Sequence, residues 1–198
     1  MFGQEKRQNR IVKTIAVKAI DRGLGATHIS LCLANALALT GGRVAMIEWN
    51  SHRELEEIEK IFSGFGYEDK DKQVFRIRRV DYYKSYQEKG MASLKKENYD
   101  FVIADIGSQA NSYFAEADYP LLIVSGSEWK AARALDEIKK LEEVVGSRLK
   151  VIVNFGVPEE LAFFRKKYQG EIYAFPFWKD PFASQKKQRE WIGQMFQY

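Results

Sequence analysis

An α/β domain is what this sequence predicts: a mostly parallel central sheet with helices on both faces. Three observations predict it. Apolar runs of strand length alternate with runs of helical periodicity from about residue 11 onward, the pattern of βαβ units around a parallel sheet. The strand-like runs are apolar on both sides, as strands buried between two helical layers are. The first of them, with Ile11, Val12, Ile15 and Val17, passes through a glycine turn directly into a helical run. Composition permits such a fold. The chain has 198 residues, 45% hydrophobic and 29% charged, within range for one domain with a sizeable core. No internal repeat or low-complexity stretch interrupts it, so residues 11–198 are expected to form a single domain.

Each element has its own justification. Residues 1–10, MFGQEKRQNR, are polar and charged and are expected to be a flexible arm. Residues 11–19 form the first strand. The turn Asp21-Arg22-Gly23-Leu24-Gly25-Ala26-Thr27 follows, then a helix over 27–40 with Ile29, Leu31, Leu33 and Leu37 on its apolar side. Cys32 lies among these leucines, so it reads as a core thiol; as the sole cysteine it excludes an intrachain disulfide and fits a reducing compartment. Gly41-Gly42 ends the helix. Residues 43–48 are the second strand, and 53–62 a helix with Leu55, Ile58, Ile61 and Phe62 at helical spacing. Residues 73–80 alternate and read as a strand at an edge, where Arg76, Arg78 and Arg79 form a basic spot that blunts unwanted pairing. Residues 81–98 follow a helical pattern. Residues 99–105, 119–124, 149–154 and 171–175 read as strands, with helices over 128–145, 158–168 and 182–197.

The glycine turn carries the chemistry. Glycines let backbone N–H groups converge on an anion, and the helix N-terminus behind them adds a partial positive charge. The strict phosphate-loop pattern GxxxxGK[ST] is absent, so the turn is either a ligand-holding loop or simply a tight connection. The stretch resembles the deviant phosphate loop of the ParA/MinD family of ATPases, KGGxGKT[TS]. On that resemblance Asp21 stands at the signature lysine, Arg22 replaces a glycine, and Gly23 and Gly25 are kept. Ala26 replaces the lysine that holds the phosphates, and Thr27 matches the magnesium-ligating hydroxyl. Glu48 and Asn50 match the two acids of a DxD-like strand end, the second of them now neutral and a poor base. Residues 99–105 resemble the Walker B strand, with Asp105 as the acid that holds magnesium through water. Asn154 matches an asparagine that contacts the adenine ring.

The resemblance, from about residue 11 to 176, implies a single P-loop NTPase-like domain. It implies ATP or ADP with Mg as ligand, held by Gly23, Leu24, Gly25, Ala26, Thr27, His28, Asp105 and Asn154, with Thr27 and Asp105 toward the metal. His28 stands in the first helical turn, where its ring could approach an anion; a surface or capping side chain is the plainer reading. The losses at Asp21, Ala26 and Asn50 favour a non-hydrolysing scaffold or localisation protein, a pseudo-ATPase, because transferring a phosphoryl group requires positive charge. Degenerate relatives of this kind include TadZ/CpaE-like proteins, which localise pilus or secretion machinery. The alternatives are a working ATPase with Arg22 supplying the charge, and a DNA-partitioning protein.

A net charge of +4 allows contact with nucleic acid without arguing for it, and no DNA-binding motif is present. Protein partners and a homodimer are expected. No secretory signal and no transmembrane-length run is visible, so a cytoplasmic protein is expected, peripheral to the membrane if the last helix binds one. That helix places Trp191, Ile192, Met195 and Phe196 on one side behind Lys186, Lys187 and Arg189. MinD-like proteins use such a helix on anionic membranes; packing against the domain is favoured here.

Overall fold

In the computed structural model, which describes residues 11–64, 73–84, 94, 99–183 and 186–196, eight strands form one sheet. The strands are β1 (Lys13–Ala19), β2 (Val44–Glu48), β3 (Val74–Ile77), β4 (Val80–Tyr83), β5 (Phe101–Gly107), β6 (Tyr119–Ser125), β7 (Lys150–Asn154) and β8 (Glu171–Phe175). Their order is β3-β4-β2-β5-β1-β6-β7-β8. All neighbours run parallel except β3, which pairs antiparallel with β4 at the edge. The helices are α1 (Ala26–Leu39), α2 (Glu54–Ser63), the single turn α3 (Tyr113–Glu116), α4 (Glu128–Val145), α5 (Pro158–Lys167) and α6 (Lys186–Phe196).

Side-chain alternation divides the core between the two faces of the sheet. Ile15 and Val17 of β1 join α1, α2 and α6 on one face, while Ala16 joins α3, α4 and α5 on the other. Every residue of β2 and β5 is buried, as central parallel strands require. The single α/β domain with a mostly parallel sheet and helices on both faces is therefore what the chain forms. Cys32 is buried and burial pushes its thiol up to about 12, which makes it an inert core group.

The C-terminal helix belongs to this core. Ile192, Met195 and Phe196 of α6 are buried, and Trp191 is partly buried, with its Nε1 donating to the Ala174 carbonyl at 2.7 Å. The apolar stripe that a membrane would need is packed against α1 and β8 instead.

Two expectations change. Residues 73–80 are not one strand. Arg78 turns at φ 54, and the chain folds back so that Ile77 faces Val80. Tyr82 and Tyr83, expected in a helix over 81–98, lie in β4; 85–93 and 95–98 fall outside the described residues, as does the arm 1–10. The second change is in α2, where the inward positions are Leu55 and Glu59, and Ile61 stays 66% exposed. Glu59 is buried because Lys84 meets it at 2.6 Å, which satisfies the charge that burial would otherwise penalise.

Candidate functional site: the cleft at the start of α1

The cleft lies where the carboxyl ends of β1 and β5 meet the first turn of α1, the edge at which parallel α/β sheets place their ligands. It encloses about 380 Å³ and is lined by the turn residues Asp21 to His28 together with His52, Glu54, Gly107 and Ser108, among others. Gly23 and Gly25 have φ of 81 and 85, left-handed conformations that glycine adopts without strain. Gly25 is required twice over, because a Cβ there would stand 3.2 Å from Asn154 Nδ2. No side chain caps α1, so the amides of its first turn are open to an acceptor.

The acid and the hydroxyl expected to act together do meet. Thr27 Oγ1 donates to Asp105 Oδ2 at 2.6 Å, and the Gly107 amide donates to Asp105 Oδ1 at 3.1 Å. Asp105 is fully buried. Burial raises its pKa, and the hydrogen bonds from Thr27 and Gly107 only partly oppose that. A hydrated magnesium ion fits a donor set of one hydroxyl and one carboxylate, since magnesium keeps several waters and completes its shell with phosphate oxygens. Among the described residues no group of three or more His, Cys, Asp or Glu is placed to hold a metal; Thr27 and Asp105 set one hydroxyl beside one carboxylate.

The positive charge of a lysine-bearing loop is missing, and its replacements have other uses. Ala26 is buried and its methyl offers a phosphate nothing. Asp21 is not a bare anion facing the cleft: Arg133 Nη1 reaches Oδ1 at 2.9 Å and Lys130 Nζ reaches Oδ2 at 3.5 Å. The repulsion expected from Asp21 is thus offset by two cations of α4. Arg22 is exposed at the cleft wall.

The side chains near the strand ends serve the fold. Asn50 Nδ2 donates to the Asp105 carbonyl at 3.0 Å, and its Oδ1 accepts from the His52 amide at 2.9 Å. Both ends of the amide are therefore engaged with backbone. Glu48 Oε1 accepts from the Glu54 amide at 2.6 Å, which caps the start of α2. Burial above all, with the charge of Asp105, pushes the Glu48 carboxyl up to about 7 against the Glu54 and Leu55 amides that lower it. His28 lines the cleft, but its Nε2 lies 2.7 Å from the Trp178 carbonyl and its ring meets Phe175 edge-on. What it offers a ligand is its backbone N–H.

Asn154 plays a part that sequence reasoning did not foresee. Its Nδ2 donates 2.8 Å to the Leu24 carbonyl, so β7 braces the glycine turn across 130 residues of sequence. Its Oδ1 is buried with no hydrogen-bond partner among the described residues. Beside it Phe155 sits at φ 54, 61% exposed, with its ring 5.9 Å from that of Phe177, itself 70% exposed. A bulky residue at positive φ is an outlier, and nothing in the sequence pattern signals it.

No protein-family model matches the sequence, and no curated protein is similar to it in sequence. Its fold, however, has close counterparts among solved structures. A putative plasmid partition protein from Borrelia burgdorferi B31, bound to AMPPNP, superposes with a TM-score of 0.65 at 14% identity over 94% of this chain and 98% of that one. MinD cell division protein from Aquifex aeolicus gives 0.62 at 20% identity over 83% and 82%. Cobyrinic acid a,c-diamide synthase from Mycobacterium smegmatis, with bound ATP analog and magnesium, gives 0.60 at 12% identity over 90% of each chain. The chain has the fold of ParA/MinD P-loop ATPases.

Proposed function

We propose that this chain is a ParA/MinD-like module that holds ATP or ADP, with magnesium, without turning it over, and that works as a scaffold or localisation protein through contacts with other proteins. In this reading residues 11–198 are the module and 1–10 an arm. The amides of residues 23–28 cradle the phosphates, Thr27 and Asp105 hold the metal, and the exposed Phe155 and Phe177 stand beside the nucleotide end marked by Asn154. Support for nucleotide comes from neighbours of the same fold that carry AMPPNP or an ATP analog with magnesium.

One observation carries the pseudo-ATPase reading. The position that the resemblance assigns to an ammonium at the phosphates is a buried methyl, Ala26, so the loop lacks the lysine that would stabilise charge developing on a transferred phosphoryl group, and its cationic side chain is the exposed Arg22 at the cleft wall. Asn50 points the same way, since it is neutral and a poor base and each end of its amide already makes a hydrogen bond to backbone. A homodimer and a TadZ/CpaE-like place in a pilus or secretion assembly at the cytoplasmic face of a membrane are the particular form of this role that the sequence resemblance favours.

Calorimetry with ATP and ADP, with and without magnesium, tests it. Binding is expected to strengthen with magnesium and to weaken in Thr27→Ala and Asp105→Asn. Submicromolar binding that both variants leave intact would move the site elsewhere, and steady turnover near one per second, within the ordinary enzyme range of roughly 1–10³ per second, would contradict the pseudo-ATPase reading.

A further inference from the structure

A second hollow, of about 250 Å³, lies at the other end of the sheet, where β2 and β4 begin. It is lined by Arg43, Arg76, Arg78 and Arg79 with Gly41, Gly42, Asp81 and Tyr99. Charge alone on an edge strand would need no explanation, since charged edges discourage strand pairing. Three features go beyond that.

The first is the turn. Arg78 and Arg79 are the two loop residues of the β3–β4 hairpin, and Arg78 holds φ 54. A two-residue hairpin loop favours glycine, asparagine or aspartate at positive φ. An arginine held there breaks local turn chemistry, and such conflicts concentrate at functional sites.

The second is preorganisation. Asp81 is buried and grips the Arg76 guanidinium from two sides, Nη2 to Oδ2 at 2.8 Å and Nε to Oδ1, while Tyr99 Oη donates to the same Oδ2 at 2.8 Å. The Arg43 guanidinium lies over the Tyr99 ring, 5.6 Å from its centroid. Arg78 Nη1 donates to the Phe182 carbonyl. Three of the four arginines are thus fixed in place before any ligand arrives, which lowers the ordering cost of binding.

The third is surplus charge. Asp81 is committed to Arg76. The Asp100 carboxylate, at the strand end nearby, accepts from the Arg43 amide at 2.8 Å. Four arginines line the hollow, and among the described residues no carboxylate or carbonyl partner is found for the Arg79 guanidinium, whereas Arg76 is held by Asp81.

The geometry points to a binding site for a phosphoryl group carried by a small molecule, a phosphomonoester or pyrophosphate gripped by Arg43, Arg78 and Arg79, separate from the cleft at α1. Guanidinium forks match the oxygens of phosphate bidentately. The hollow is closed by the end of α1 at Gly41-Gly42 on one side and by the hairpin on the other. A nucleic-acid backbone would instead need a positive groove that continues along the surface.

Calorimetry of the full chain with inorganic pyrophosphate, at constant ionic strength, tests this. Arg79→Gln and Arg43→Gln are each expected to weaken binding at least tenfold, and Arg79→Lys to weaken it less, because it keeps the charge and loses the fork. Circular dichroism checks that Arg79→Gln stays folded, the result expected of an exposed side chain. Pyrophosphate affinity unchanged in both glutamine variants would overturn the proposal. So would a 20-nucleotide DNA strand that binds more tightly than pyrophosphate and loses its affinity in Arg79→Gln, since the hollow would then serve a polymer. Neither outcome bears on whether the α1 cleft holds nucleotide.

Discussion

The cleft at the start of α1 and the arginine hollow at the opposite strand ends are both lined by charged or polar groups, and they are built in opposite ways. In the cleft the polar side chains are part of the fold: Asp105 and Glu48 are fully buried, Asn50 and Asn154 brace backbone, and Asp21 is paired with α4. The loop carries no lysine: Ala26 is a buried methyl, and the cationic side chain of the turn is the exposed Arg22. In the hollow the arginines lie at the surface, and among the described residues Arg79 has no carboxylate or carbonyl partner. The difference teaches where each kind of substitution should register. Changes in the cleft should cost stability as well as ligand binding, and a change at Arg79 should cost binding alone.

The largest expected effect comes from removing what supports the cleft. Truncation before Ser184 deletes α6, which buries Ile192, Met195 and Phe196 against α1. At roughly 1.5–3 kcal/mol for each large apolar side chain, unfolding by denaturant should show a loss of about 5 kcal/mol. An unchanged melting temperature, with liposome binding abolished, would return the helix to a membrane role.

The next effect is a pH dependence centred on the cleft. Glu48 rises from 4.5 to about 7 on folding, and Asp105 is raised as well, in both cases chiefly by burial. A carboxyl with a raised folded pKa binds its proton more tightly in the native state. The stability that Glu48 contributes is therefore fully present below about pH 4.5 and is lost as pH rises to about 7. At 1.36 kcal/mol per unit the Glu48 share is roughly 3 kcal/mol. Glu48→Gln, which can still accept from the Glu54 amide, should flatten denaturant stability between pH 4.5 and 7. An equally steep slope in the variant would show that Glu48 is already solvated as an anion.

Asn154→Ala should come third. It removes the hydrogen bond to Leu24 and should cost about 1 kcal/mol, with weaker nucleotide binding and no change at the hollow. At the small end, Arg79→Gln should leave stability within about 0.5 kcal/mol, as surface changes away from the core do. A larger loss would erase the contrast between the two regions.

How much of this the sequence revealed follows the same division. Long periodic segments were legible: residues 128–145 form α4, and of Ala131, Ala134, Leu135, Ile138 and Leu141, which helical spacing turns inward, Ala131, Ala134 and Ile138 are buried and the two leucines partly buried, while 171–175 form β8. The hairpin at Arg78-Arg79 was not, because a strained arginine stands where glycine would announce a turn. Thr27 and Asp105 could be paired from motif order. The Asn154 brace and the Lys130 and Arg133 contacts to Asp21 could not, since the first joins a side chain to a backbone carbonyl and the second joins a loop to a helix more than a hundred residues on. Local pattern carries no record of such contacts.

The backbone contacts of Asn50 also limit what repair can do. Ala26→Lys would restore an ammonium, yet Asn50 would remain tied to backbone, so the variant should show no steady ATP turnover; turnover near one per second would place the whole defect at residue 26.

The most direct test of the central claim is the identity of the nucleotide the cleft holds. The unmodified chain is incubated with magnesium and ATP, freed of unbound ligand after an hour, and denatured, and the released nucleotide is separated by chromatography. ATP recovered intact in the amount bound is the predicted result. ADP in its place, with inorganic phosphate released, would mean that the cleft completes the reaction without the loop lysine and would contradict the account.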